Sequence, residues 1–252
     1  MTFVRSAAST HPGRKRANNE DYVTYFEPNN QDELSQSGCI YILADGVGGA
    51  SLGEHASQYA AQKILYEYYQ HPEIPPANRL KNIIRQTGNE IFDFAEQQDH
   101  FMRMGTTVVV AVIRNGKLQI AHVGDSRAYL IKNGKANLLT RDHSTVGEMM
   151  RDGVLTEEEA MHFQGRNLLS RSLGGHQDVK VDVTEEIPFS PGSRLLLVSD
   201  GLSRYASREQ FSSLVTEETP EVMVEKLIDY ANQQGGADNI SAILVEALQE
   251  ED

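Results

Sequence analysis

The sequence predicts an α+β fold, with antiparallel strands in layers and helices on the outside. Three observations carry this. Two apolar runs each end in Asp-Gly: Cys39-Ile40-Tyr41-Ile42-Leu43-Ala44 before Asp45-Gly46, and Leu195-Leu196-Leu197-Val198-Ser199 before Asp200-Gly201. Runs of this length and composition read as buried strands. Asn115-Gly116 and Asn133-Gly134 separate short apolar segments and mark two-residue type I′ hairpin turns. Helical periodicity flanks this strand-rich middle rather than alternating with it, which disfavours a βαβ repeat.

In chain order, residues 54–69 place Ala56, Ala60, Ile64, Leu65 and Tyr68 on one helical face, and Tyr66, Tyr68 and Tyr69 read as a packing cluster. Residues 77–98 start after Pro75-Pro76 and align Leu80, Ile83, Ile84, Ile91, Phe94 and Ala95. Residues 106–114, 117–124, 127–132 and 135–140 then read as four strands of one meander, with Asp125-Ser126 at a tight reversal. Residues 142–175 form an insertion poor in large apolar side chains, with short polar helices at 145–151 and 156–162 and Gly153 and Gly165 beside them. Such a segment is expected to lie on the surface. Strands resume at 180–185, 194–199 and 240–245. A last helix at 220–233 carries Val224, Leu227, Ile228 and Ala231 and stops at Gly235-Gly236.

The 252 residues, 39% hydrophobic and 23% charged, show no linker or composition break, so one domain spanning 1–252 is expected. A net charge of −13 argues against nucleic acid as a partner, because that binding leans on Lys and Arg. The N-terminus lacks the apolar core of a secretory signal, and the longest apolar run, 108–113, is too short for a membrane span. With Cys39 as the sole cysteine, the expectation is a cytoplasmic protein that does not engage membranes.

Each Asp-Gly junction delivers a carboxylate where a core strand leaves the core, a costly place unless a cation or hydrogen bonds compensate. Asp125, Asp238 and the pair Glu20-Asp21 join Asp45 and Asp200 as candidate acids. Hard divalent cations such as Mg²⁺ and Mn²⁺ favour such oxygen ligands, whereas the single cysteine and scattered histidines argue against zinc or iron. Spacing alone does not establish a metal site, since an Asp at a strand end is commonly a turn former.

Six motifs read together change that balance: Gly13-Arg14-Lys15-Arg16-Ala17-Asn18-Asn19-Glu20-Asp21, Ala44-Asp45-Gly46-Val47-Gly48-Gly49, Gly105-Thr106-Thr107, Val123-Gly124-Asp125-Ser126-Arg127, Ser199-Asp200-Gly201 and Ala237-Asp238-Asn239-Ile240-Ser241. In this order they resemble the metal-dependent protein phosphatase family, type 2C. The resemblance implies a four-layer α-β-β-α sandwich, two antiparallel sheets face to face with helices outside. It implies hydrolysis of phosphoserine and phosphothreonine by a hydroxide shared between two Mn²⁺ or Mg²⁺ ions. Asp45 is then the bridging ligand, with the Gly46 carbonyl on one ion and Asp200 and Asp238 on the other. Glu20 and Asp21 hold metal-bound waters, Asp125 with Asp200 matches a weaker third site, and Arg16 grips the phosphate. Without the motif, Arg16 is one more solvated charge beside Arg14 and Lys15. The insertion, bounded by Asp142-His143-Ser144 and by Asn167 with Ser170-Arg171-Ser172-Leu173-Gly174, matches the family's flap. The implied partners are phosphoproteins and a cognate serine/threonine kinase, and the implied state is a monomer.

The chain departs from the family where many members carry a histidine, having Val47 and Ala50 there with His55 nearby, and His11 stands where an aspartate is common. Other phosphate chemistries fit poorly. Six positions after Cys39 stands Asp45 rather than the arginine a cysteine phosphatase needs, and Gly46-Val47-Gly48-Gly49 lacks the Gly-Lys-Ser/Thr of a Walker loop. Two alternatives stay open: a phosphatase dedicated to one regulatory protein such as an anti-sigma-factor antagonist, and a non-catalytic binding module on the same fold. The second predicts a lost metal ligand, and none is lost.

Overall fold

The computed structural model describes residues 3–48, 52–98, 104–163, 165 and 168–249. The chain runs through β1 (Phe3–His11), β2 (Asp21–Phe26), α1 (Gln31–Gln36), β3 (Cys39–Gly48), α2 (Leu52–Gln70) and α3 (Pro76–Gln98). It continues through β4 (Met104–Thr106), β5 (Val108–Arg114), β6 (Lys117–Val123), β7 (Arg127–Lys132), β8 (Lys135–Leu138), α4 (Thr145–Arg151) and α5 (Glu157–His162). It ends with β9 (Asp182–Val183), β10 (Ile187–Pro188), β11 (Arg194–Val198), α6 (Asp200–Ser203), α7 (Arg208–Leu214), α8 (Pro220–Gln233) and β12 (Ile240–Leu248).

One sheet has the order β1-β12-β11-β7-β8; the other runs β10-β6-β5-β3-β2, with β4 added on β3 and β9 on β6. Successive strand residues point to opposite faces, and that alternation builds the layers. Ile40, Ile42 and Ala44 of β3 face α2 and α3, while Tyr41 and Leu43 face the other sheet. On β11, Leu196 and Val198 pack toward α8, and Leu195 and Leu197 join the core between the sheets. Three cores separated by two sheets make the four-layer sandwich. Among the described residues no helix is long and apolar enough to cross a membrane.

The helices at 54–69, 77–98 and 220–233 form within two residues of expectation. Both Asn-Gly turns adopt the left-handed conformation at Asn115 and Asn133 that type I′ requires. The four-strand meander is corrected. β5 and β6 pair in one sheet, but β7 pairs with β8 and β11 in the other. Asp125-Ser126 is therefore a crossover between sheets rather than a hairpin. Gly124 makes it possible: its φ is +111°, and a Cβ there would lie 2.4 Å from the Thr107 Cβ. The strand expected at 180–185 shrinks to Asp182–Val183. Phe94 and Tyr66 are exposed, because only one side of their helices meets the sheet. The insertion is anchored by fully buried Leu173, which bridges to Thr106. Elements β1, β2, α1, β10, α6 and α7 had no counterpart in the sequence reading.

Candidate active site

Loops and strand ends at one end of the sandwich converge on a cleft of about 220 Å³. β3 brings Asp45, Gly46, Val47 and Gly48 to it, and the 6→7 crossover brings Asp125. Asp200 opens α6 directly after β11, Asp238 precedes β12, and Arg16 and Glu20 precede β2. Thr107 and Leu169 complete the lining. Of the candidate acids only Asp21 is not part of it. Asp21 sits opposite Asp45 in the β2–β3 register, buried, and its Oδ2 accepts a 2.6 Å hydrogen bond from Ser241 Oγ.

The backbone here is tightly specified. The Asp45 carbonyl accepts from Thr106 Oγ1 at 2.9 Å and from the Thr107 amide at 2.8 Å. The Gly46 amide donates to the Glu20 carbonyl at 3.0 Å, and a Cβ on Gly46 would sit 2.3 Å from the Gly53 carbonyl oxygen. Only glycine permits that approach of α2 to β3. Asn239 clamps the segment leading to Glu20: its Oδ1 accepts from the Glu20 amide, and its Nδ2 donates to the carbonyls of Pro12 and Asn18.

Electrostatically the cleft is a crowd of like charges. Burial, then Asp21, Asp200, Asp125 and Asp238, push the Asp45 carboxyl well above the carboxylate range. Burial and Asp200 do the same to Asp125. Burial raises Glu20, and raises Asp21 to about 7 against the pull of Ser241 and Ser199. Two guanidiniums offset part of this charge. Arg204 Nη2 lies 2.6 Å from Asp200 Oδ2 and 3.3 Å from Asp238 Oδ2, with its side chain 7% exposed. Arg16 forks onto Asp238, Nε to Oδ1 at 2.8 Å and Nη2 to Oδ2 at 3.0 Å, with its side chain 51% exposed at the mouth.

The residues fit a pair of hard cations. The donor set is all oxygen, burial and neighbouring carboxylates destabilise the Asp45 and Asp125 anions, and Asp21 Oδ1 is buried with no hydrogen-bond partner among the described residues. Arg204, Asn239, Ser241 and Thr107 had no role assigned from sequence; the signal available for Arg204 was its place one helical turn after Asp200. Gly49, Ala50 and Asn167 lie outside the described residues. His55 lines a neighbouring groove, so no histidine is among the described residues that line the cleft.

Behind the crossover, His122 and His143 stack at 4.8 Å. The Gly124 amide donates to His143 Nδ1 at 3.1 Å, and His143 Nε2 lies 3.2 Å from Asp182 Oδ2 and 3.1 Å from Arg171 Nη1. Arg171 Nη1 donates to Asp182 Oδ1 at 3.1 Å. These contacts brace the crossover and the root of the insertion.

Residues 14–249 match the family model described as Protein phosphatase 2C. The serine/threonine phosphatase stp of Listeria monocytogenes is 36% identical over 242 residues, covering 94% of this chain and 93% of that protein. The Mycobacterium tuberculosis serine/threonine phosphatase PstP/Ppp aligns with a TM-score of 0.85 at 30% identity, over 99% of this chain and 100% of that one. The PstP catalytic domain in complex with two manganese ions aligns with a TM-score of 0.84, also at 30% identity, over 99% and 100% of the two chains.

Proposed function

The chain belongs to the protein phosphatase 2C family, and on that premise we propose a residue-level account of how it works as a metal-dependent serine/threonine protein phosphatase. What carries the account is the cleft in which Asp45, Asp125, Asp200, Asp238 and Glu20 meet. Asp45, the Gly46 carbonyl, Asp200 and Asp238 would hold two Mn²⁺ or Mg²⁺ ions, and Asp125 with Asp200 would hold a weaker third. When bound, the ions supply electrostatic stabilisation of the phosphoryl oxygens and acidify water for in-line attack.

The protein's own groups do the rest. Glu20, in the lining, and Asp21, buried behind Asp45, would accept hydrogen bonds from the metal-bound waters and hold them in place. Asp238 holds the Nε–Nη2 edge of Arg16, which leaves the Nη1–Nη2 edge of the planar guanidinium for the phosphate at the mouth. Arg204 keeps Asp200 oriented from beneath. Substrates are phosphoproteins, and a serine/threonine kinase is the opposing enzyme. The chain acts as a single catalytic domain and a monomer in the cytoplasm, with the insertion at 142–175 contacting the phosphoprotein.

The test is hydrolysis of a phosphothreonine peptide with Mn²⁺, with chelator, and by Asp200→Asn. Turnover that requires Mn²⁺ and disappears in the variant supports the ligand assignment. An Asp200→Asn enzyme with full turnover and unchanged Mn²⁺ dependence overturns it.

A further inference from the structure

A groove of about 670 Å³ runs between α2 and α3 beside the cleft. Leu52, Tyr59, Ile91, Phe94 and Met104 form its apolar surface, and Gln58 adds an amide. Tyr59 is 42% exposed and Phe94 49%, so two aromatic side chains, one from each helix, are open to solvent. Tyr59 is also held still: its hydroxyl donates to Glu90 Oε2 at 2.6 Å, and Glu90 Oε1 lies 3.2 Å from Lys63 Nζ.

The linings of the groove and the cleft adjoin at two points. Gly48, in the cleft lining, pairs across the sheet with Met104, in the groove lining. Gly53 packs its backbone against the Glu20 side chain, and Leu52 beside it opens the groove. Cross-strand neighbours are about 5 Å apart, and the ten residue-to-residue steps from Leu52 to Gln62 span about 15 Å of helix. An extended peptide advances about 3.3 Å per residue, so the groove covers roughly the second to fifth residue from one bound in the cleft.

The cleft itself, at about 220 Å³, has room for a phosphorylated side chain and not for its flanks. A chain of net charge −13 repels a phosphopeptide at long range. Apolar contact beside the cleft is a source of affinity that this repulsion does not weaken.

We propose that the α2/α3 groove is a substrate subsite that receives a large apolar side chain of the phosphoprotein two to five positions from the phosphoresidue. This rests on the phosphatase reading. It is tested with Mn²⁺-loaded enzyme and phosphothreonine peptides carrying one Leu or Phe at each position from five before to five after, against an all-alanine flank. The expected result is a ratio of kcat/KM, apolar over alanine, of about ten at one or two positions on one side. In Phe94→Ser and in Tyr59→Ser that ratio falls toward one, and in Phe94→Lys the preference turns to an acidic flank.

An enzyme that hydrolyses p-nitrophenyl phosphate but shows a ratio near one at every position overturns the groove assignment alone. So does a preference that survives all three substitutions. Self-association by sedimentation that Phe94→Ser abolishes would assign the groove to a second copy and overturn the proposal. A chain inactive on both substrates removes the phosphatase reading and the subsite with it.

Discussion

Asp45 faces four other aspartates across a small volume, and burial plus their charge raise its carboxyl far above its ordinary range. The cost of that crowding falls on the metal-free protein. Asp45→Asn is nearly isosteric and removes one charge, so calorimetry in chelator should show it more stable than wild type by about 1–2 kcal/mol. The same variant should lose Mn²⁺-induced stabilisation and turnover; a destabilised variant would mean that the carboxylate is satisfied by the protein alone. His143 gives a second residue-scale prediction. Burial, with His122 and Arg171 adding, lowers it from 6.5 to about 4 despite Asp182. A base whose folded pKa is depressed binds fewer protons folded than unfolded, so its contribution is complete above about 6.5 and is lost as pH falls toward 4. The full loss is on the order of 3 kcal/mol. Asp21, raised to about 7, titrates with the opposite sign. The difference between wild type and His143→Gln in denaturant melts at pH 7 and pH 5 therefore isolates the histidine. Equal differences at both pH values would contradict it.

At the scale of elements, what was legible followed from local chemistry. Asn-Gly pairs announce type I′ turns whatever surrounds them, and the apolar faces of α2, α3 and α8 repeat at the helical period. The 6→7 crossover was not legible, because a tight turn that closes a hairpin and one that passes a strand to the opposite sheet use the same residues. The decisive feature, Gly124 packed on Thr107, is a long-range contact. Gly124→Ala should therefore destabilise by about 2–4 kcal/mol through strain at φ +111° and the Thr107 clash, and should weaken Mn²⁺ binding by displacing Asp125. Stability and metal titration by calorimetry check both, and a neutral substitution would show that the crossover tolerates a Cβ. Phe94 was misplaced for a related reason: periodicity marks a face, but the width of the buried stripe depends on what the sheet covers. The acids of the cleft were legible as a set only through the family's motif order. Their partners Arg204 and Asn239 are ordinary residues whose roles emerge when β11 and β12 lie side by side.

The whole molecule carries 36 acidic against 23 basic residues, and its cleft concentrates carboxylates where a dianionic phosphate must arrive. Local attraction has to come from the cations and from Arg16, while the remaining surface opposes approach. Added salt screens exposed charges beyond a Debye length of about 10 Å at 0.1 M, but contacts within the cleft far less. The long-range repulsion should thus fade before the short-range attraction does. With Mn²⁺ saturating, kcat/KM for an acidic phosphopeptide should rise between about 10 and 100 mM NaCl as KM falls and kcat stays level. A peptide with a basic flank should show the reverse slope, because its attraction to the acidic surface is what salt removes. Steady-state kinetics on the two peptides at matched Mn²⁺ decide the matter. If both slopes are negative, the field at the cleft is set by the bound cations and Arg16 rather than by the charge of the whole chain.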